Sequence, residues 1–225
     1  MGHWVTNAYQ IIAHKGNSSG CPENTSVAIE SAIENQCTMV EIDVSVTSDG
    51  YSVALHGPSL GISTSGSGKV NQTSLEELLN YFVRGQDGEI TDIKVSLVEE
   101  LLRNFGTKTK WNLDLKEGRI EDDLTQVIYN FDLQNHIVLS GLKSSDVRRI
   151  VVSNSDLNLL VNLSKVDQLF VALKFFGPLY VRHRFRSLSR ESSVIAINMH
   201  HRYVSKQIIR EIHKLGLEVW VYTVD

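Results

Sequence analysis

The strongest constraint on this chain is an alternation: short β-rich runs are separated by stretches of helical periodicity along most of its length. Residues 10–13 read as a first strand, 23–35 as a helix and 39–44 as a second strand. The Asp49-Gly50 pair is a hairpin signal and precedes a short strand over 51–56. A Gly/Ser-rich loop spans 61–74, a helix is expected over 75–84, a polar linker follows, and a further helix covers 96–105. Strands at 110–115, 136–140, 157–163, 194–198 and 218–224 then alternate with helices at 121–132, 146–153 and 205–215. Strands that alternate with helices pair in parallel. About seven of them point to a TIM-like β/α barrel rather than a doubly wound sheet. No Gly-x-Gly-x-x-Gly follows the first strand, which argues against a dinucleotide-binding fold.

Composition narrows the classes further. Of 225 residues, 42% are hydrophobic, 21% are charged and three are proline, the balance of a folded domain. A chain of this length buries about 70–75% of its unfolded surface and needs no staples to hold a core. The 22 Lys and Arg against 26 Asp and Glu leave a net charge of −4, which excludes general nucleic-acid binding as the expected role. Two cysteines, Cys21 and Cys37, make neither a disulfide framework nor a zinc site. No apolar run reaches the roughly 18 residues that span a bilayer, and the first ten residues lack the pattern of a secretory signal. The expected address is therefore cytoplasmic. Residues 169–190 set bulky apolar side chains beside four arginines. They fit either weak contact with a membrane surface or a core helix followed by a solvated basic loop, and the second is the simpler expectation.

The chemistry sits on two of the strands. Residues two apart on a strand share a face, so Glu41 and Asp43 point one way while Val40, Ile42 and Val44 point the other. Asp114 and Lys116 likewise share a face opposite Leu113 and Leu115. Inward carboxylates at strand ends are costly without a compensating cation, and three of them form an oxygen-rich set suited to Mg²⁺ or Ca²⁺. Solvated acids on an edge strand would give the same pattern.

Several motifs follow one another in order: Ile12-Ala13-His14-Lys15-Gly16, Pro22-Glu23-Asn24-Thr25, Val40-Glu41-Ile42-Asp43-Val44, Thr47, Asp49-Gly50, Val53 and His56. Ser96-Leu97, Glu99, Leu101, Leu113-Asp114-Leu115-Lys116 and Val221-Tyr222-Thr223-Val224-Asp225 come later. This series resembles the glycerophosphodiester phosphodiesterase family, whose pattern runs His-Arg-Gly, Pro-Glu-Asn-Thr, Glu-x-Asp-Val, Thr-x-Asp-Gly and Val-x-x-His-Asp. The resemblance implies one β/α-barrel domain over residues 1–225 with an inserted capping segment at about 57–95. It also implies metal-dependent hydrolysis of glycerophosphodiesters to glycerol 3-phosphate and an alcohol, within lipid and glycerol metabolism. The implied partner is a small-molecule phosphodiester.

By matching motif positions, the resemblance makes Glu41, Asp43 and Asp114 the ligands of one divalent cation, Mg²⁺ or Ca²⁺. His14 and His56 become the acid/base pair, Lys15 and Lys116 the phosphate contacts, Glu23 and Asn24 lining or bracing residues, and Tyr222 an aromatic wall. The chain departs from the pattern at four of these places: Lys15 for Arg, Asp114 for Glu, Gly57 for Asp and Tyr222 for Trp. It also stops after the seventh expected strand, where the family continues. Two alternatives share the scaffold: a phospholipase D-like enzyme that expels a lipid headgroup by internal attack, and a non-catalytic phosphate-binding relative.

Overall fold

The computed structural model describes residues 10–117, 120, 122–173 and 176–222. The chain forms two compact units, Met1–Ile137 and Val138–Asp225.

One strand organises the first unit. β1 (Ile12–Ala13) leads through α1 (Ser26–Glu34) to β2 (Met39–Val46), with Ile12 opposite Met39 in parallel register. All eight residues of β2 are buried. Helix α1 starts later than the pattern suggests, because the Thr25 hydroxyl caps it by accepting the Ala28 N–H at 3.3 Å. Glu23 and Asn24 therefore lie in the loop that approaches β2, not on the helix. After the Asp49-Gly50 turn, β3 (Ser52–Ala54) runs back antiparallel, with Val44 opposite Ala54.

Residues 57–95 hold more structure than a Gly/Ser-rich loop. They contain α2 (Leu60–Ser63), a 3₁₀ turn at Val70–Gln72, α3 (Leu75–Leu78), and a hairpin of β4 (Phe82–Arg84) and β5 (Ile90–Lys94). The helix expected over 75–84 stops at Leu78, since Phe82-Val83 suits a strand and finds a partner in β5. The sequence suggests only a polar linker at β5, because the strand is half exposed and presents no apolar face. Leu60, Val70, Leu78, Val83 and Val95 pack on Val53 and Leu55 as a small core of their own. β6 (Ser96–Leu97) pairs with β3 and runs straight into α4 (Val98–Phe105). β7 (Lys110–Leu115) is the long parallel partner of β2, and α5 (Asp122–Asn130) follows it.

The second unit repeats the strand–helix step. β8 (Ile137–Leu142), α6 (Ser144–Ser153), β9 (Asn158–Asn162), α7 (Lys165–Val171), α8 (Gly177–Phe185), β10 (Val194–His200), α9 (Lys206–His213) and β11 (Glu218–Tyr222) succeed one another. β8, β9, β10 and β11 are parallel neighbours in that order. The segment over 169–190 divides into two helices, with Pro178 in the first turn of α8, where its missing N–H costs nothing. Among the described residues seven parallel strands alternate with helices, and the fold is of the TIM-like β/α class that the sequence pattern implies. Thr223, Val224 and Asp225, part of the expected last strand, lie outside the described residues.

Candidate active site

β2 is not an edge strand. β1 and β3 flank it on one side and β7 on the other, so its acids cannot reach bulk water along the sheet edge. Glu41 is 6% exposed and Asp43 1%, which removes the reading of solvated edge carboxylates. The parallel register sets Glu41 opposite Asn112 and Asp43 opposite Asp114. Ser45 extends the first row and Lys116 the second. One carboxylate oxygen from each of Glu41, Asp43 and Asp114 lies within 4.8 Å of the other two.

The loop after β1 folds over this face. Gly16 N–H donates to Glu41 O at 3.0 Å, and Asn24 N–H donates to Lys15 O at 3.0 Å. Lys15 and Asn24 hold φ of +55° and +60°. Such left-handed backbone is uncommon outside glycine and costs about 1–3 kcal/mol per residue, strain that collects at functional sites. Gly16 has φ +76°, and a Cβ there would fall 2.8 Å from the Ala28 methyl on α1, so only glycine fits.

The strained loop delivers charge to the carboxylates. Lys15 N–H donates to Glu41 Oε2 at 2.7 Å. The Lys15 ammonium donates to Glu23 Oε2 at 2.7 Å and lies 3.6 Å from Asp43 Oδ2. Asn24 holds Asp43 twice, its Nδ2 donating to Oδ2 at 3.0 Å and its Oδ1 accepting the Asp43 N–H at 2.9 Å. From the other side the Lys116 ammonium pairs with Asp43 Oδ1 and Asp114 Oδ2. Asp43 Oδ1 is buried, and the Lys116 ammonium is its partner there. Ser63 on α2 reaches Glu23 Oε1 at 3.4 Å, which ties the inserted segment to the site.

These neighbours push two acids of one strand in opposite directions. Burial and the negative charge of Asp43 raise Glu41 to about 8, although the Lys15 N–H opposes the shift. Burial acts on Asp43 as well, but the Lys116 charge and the Asn24 hydrogen bond outweigh it and hold the carboxyl below its usual range. Burial would lower Lys116, yet Asp114 and Asp43 raise it and keep the ammonium charged. His14 projects from the loop with its side chain 58% exposed and Nε2 4.0 Å from Glu41 Oε2. Desolvation and the Lys15 charge lower its pKa, which favours the neutral imidazole.

His56 enters through backbone. Leu55 N–H donates to Asp43 O at 3.1 Å, so the residue before His56 is tied to the centre of the site. The buried Ser45 hydroxyl donates to Leu55 O at 2.9 Å and accepts Gly57 N–H at 3.1 Å, closing a loop around His56. A Cβ at residue 57 would fall 2.7 Å from Ser45 Oγ. Gly57 is thus matched to Ser45. The sequence reading passed over Ser45 and Asn112, although each is two residues along the strand from an acid it singled out.

The structure thus gathers His14, Lys15, Glu23, Asn24, Glu41, Asp43, Asp114 and Lys116 at one place, with His56 attached through Leu55. Tyr222 belongs to the second unit. Its hydroxyl accepts from Gln168 Nε2 at 3.2 Å. With His200, Arg202 and Tyr203 it lines a cleft of about 380 Å³ that contains none of the carboxylates.

The donor set fits a hard divalent cation. It offers carboxylate oxygens from three residues, and an ammonium already lodges where Asp43 and Asp114 converge. Fold and site together define a parallel β/α protein with two lysine ammoniums held against a cluster of carboxylates. Residues 14–225 match the glycerophosphoryl diester phosphodiesterase family, and the chain belongs to that family of enzymes. The protein YqiK of Bacillus subtilis is 33% identical over 139 residues, 58% of this chain and little more than half, 57%, of that protein. A glycerophosphodiester phosphodiesterase of Caldanaerobacter subterraneus is 27% identical over 173 residues, 73% of this chain and 71% of that protein. The fold is also that of an Oleispira antarctica phosphodiesterase solved with its product sn-glycerol-3-phosphate. There the TM-score is 0.71 at 22% identity, over 96% of this chain and 85% of that one.

Proposed function

We propose that the chain hydrolyses glycerophosphodiesters to glycerol 3-phosphate and an alcohol, assisted by one divalent cation, Mg²⁺ or Ca²⁺. The observation that carries this reading is the convergence of Lys15 and Lys116 on Asp43 inside a three-carboxylate cluster. The name of the Caldanaerobacter relative and the product in the Oleispira structure support the choice of substrate.

Glu41, Asp43 and Asp114 would hold the cation, which supplies Lewis acidity toward a phosphoryl oxygen when bound. Lys116, paired with Asp43 and Asp114, would offer its ammonium to the phosphate beside a bound cation. Lys15, steadied by Glu23, offers a second positive charge. A phosphodiester anion repels nucleophiles, and these charges offset that repulsion in the transition state. The oxygen of water attacks phosphorus, the bond from phosphorus to the alcohol oxygen breaks, and two protons move. One leaves the nucleophile and one reaches the departing alkoxide. His14 and His56 take these transfers, each worth about 10²–10⁴-fold. Asn24 orients Asp43, and residues 57–95 cap the site. The test is hydrolysis of glycerophosphocholine with EDTA and after return of Mg²⁺ or Ca²⁺. EDTA should stop release of glycerol 3-phosphate and one of the two ions should restore it. Full turnover in EDTA would sink the cation assignment.

A further inference from the structure

The outward face of α7 and of the start of α8 is apolar. Val166, Leu169, Phe170 and Leu173 recur at helical spacing and are 59%, 60%, 46% and 47% exposed. Phe176 and Leu179 continue the face at 67% and 62%. The core is served by the other side of these helices, where Val171, Val181 and Phe185 are buried. A core helix with a solvated loop, the simpler sequence expectation for 169–190, does not describe this arrangement. The two helices form one surface, for Gly177 N–H donates to Leu173 O at 2.7 Å and the Phe170 and Tyr180 rings stack at 5.0 Å. A contiguous apolar patch of this kind marks an interaction site.

Its rim says what it meets. Residues 165–190 carry six Lys and Arg and a single acid, Asp167, in a chain whose net charge is −4. Lys165, Arg182 and Arg186 are exposed around the patch. Arg182 also pairs with Glu211 at 2.9 Å, which ties α8 to α9 while leaving its side chain 59% exposed. Two copies meeting through this face would bring their cationic rims together, whereas a bilayer rich in anionic lipid neutralises them. No helix among the described residues is long and apolar enough to cross a membrane. We propose that α7 and the start of α8 dock in the plane of an anionic phospholipid surface, with Leu169, Leu173, Phe176 and Leu179 entering its outer layer and Lys165, Arg182 and Arg186 against the headgroups.

The probes are vesicles of phosphatidylcholine alone and of phosphatidylcholine mixed with phosphatidylglycerol, with binding read by co-sedimentation of the full chain. The mixed vesicles should retain the protein, and neutral vesicles or high salt should release it. Leu169→Ser with Phe176→Ser should weaken retention by about tenfold or more. Arg186→Gln should weaken it about fivefold. All three positions are exposed, and circular dichroism with thermal melting will show that the variants remain folded. Absence of retention on anionic vesicles at low salt, or retention that the double serine variant keeps, would overturn the proposal. So would a concentration-dependent dimer that the serine variant dissolves in the absence of vesicle binding, which would assign the face to a second copy.

Discussion

Two of the places where the described residues bury acids are built on opposite principles. In the second unit Asp167 is 8% exposed and closed by fixed donors. It accepts from Ser164 N–H and Oγ, from Tyr180 OH at 2.5 Å and from Arg184 Nε at 3.3 Å. Burial opposes its ionisation, but those donors prevail and hold it below the usual carboxylate range. In the first unit three carboxylates share two lysine ammoniums and a few neutral donors. One acid is pushed up to about 8, while another is held below its usual range by the Lys116 charge and the Asn24 hydrogen bond. A buried acid with a full set of donors is a staple. A cluster with more carboxylates than lysines among the described residues calls for a cation from outside, and that excess of negative charge distinguishes the site from the staple.

Substitutions should widen or close this contrast. The largest expected effect is at Glu41. Glu41→Gln should lower kcat for glycerophosphocholine by on the order of 10³-fold or more and leave the melting temperature unchanged or raised, because it removes a carboxylate whose charge is disfavoured. Retained turnover would mean that the cluster is a structural charge network. Next, His14→Ala and His56→Ala should each cost about 10²-fold or more in kcat. A single variant at the parent rate would take that histidine out of the chemistry.

Ser45→Ala should be milder, about tenfold in kcat through the loosened turn around His56, since each of its two hydrogen bonds is worth about 1 kcal/mol. Ser45→Thr should recover part of that loss, and identical rates for all three forms would leave Ser45 a role in folding only. The smallest effect on catalysis is expected at Asp167. Asp167→Asn should leave kcat within about twofold while lowering stability by about 1–3 kcal/mol. The sign with pH follows from the depressed pKa. Asp167 stabilises the fold above its unfolded-state pKa, and that contribution fades as pH falls through the folded value. The Asn variant should therefore lose less stability in acid than the parent, and equal acid sensitivity would show that Asp167 is not the staple described.

The sequence made parts of this contrast legible and hid others for physical reasons. The period of two along β2, and from β7 on to Lys116, displayed Glu41 with Asp43, and Asp114 with Lys116, as polar residues sharing a face opposite apolar ones, and their roles came with the motif resemblance. The register that sets Asp43 opposite Asp114 joins residues far apart in the chain, and no local pattern encodes it. The left-handed backbone of Lys15 and Asn24 was equally invisible, because neither residue type demands it. β5 escaped notice since its half-exposed alternation resembles linker. Ser45 looked like an ordinary strand residue, and only the turn back to Leu55 and Gly57 reveals what its hydroxyl holds. In α7 the apolar period was plain, but the sequence could not say that its apolar stripe faces outward.

Cation binding, measured apart from turnover, bears most directly on the difference between the two acid settings. Calorimetric titration of the EDTA-stripped protein with Mg²⁺ and with Ca²⁺ should show one site for at least one ion in the parent and in Asp167→Asn. That site should be lost, or weakened by about 1.4 kcal/mol for each tenfold in Kd, in Glu41→Gln and Asp43→Asn. Absence of binding in the parent, or equal binding by the parent and the Glu41 and Asp43 variants, would contradict the account.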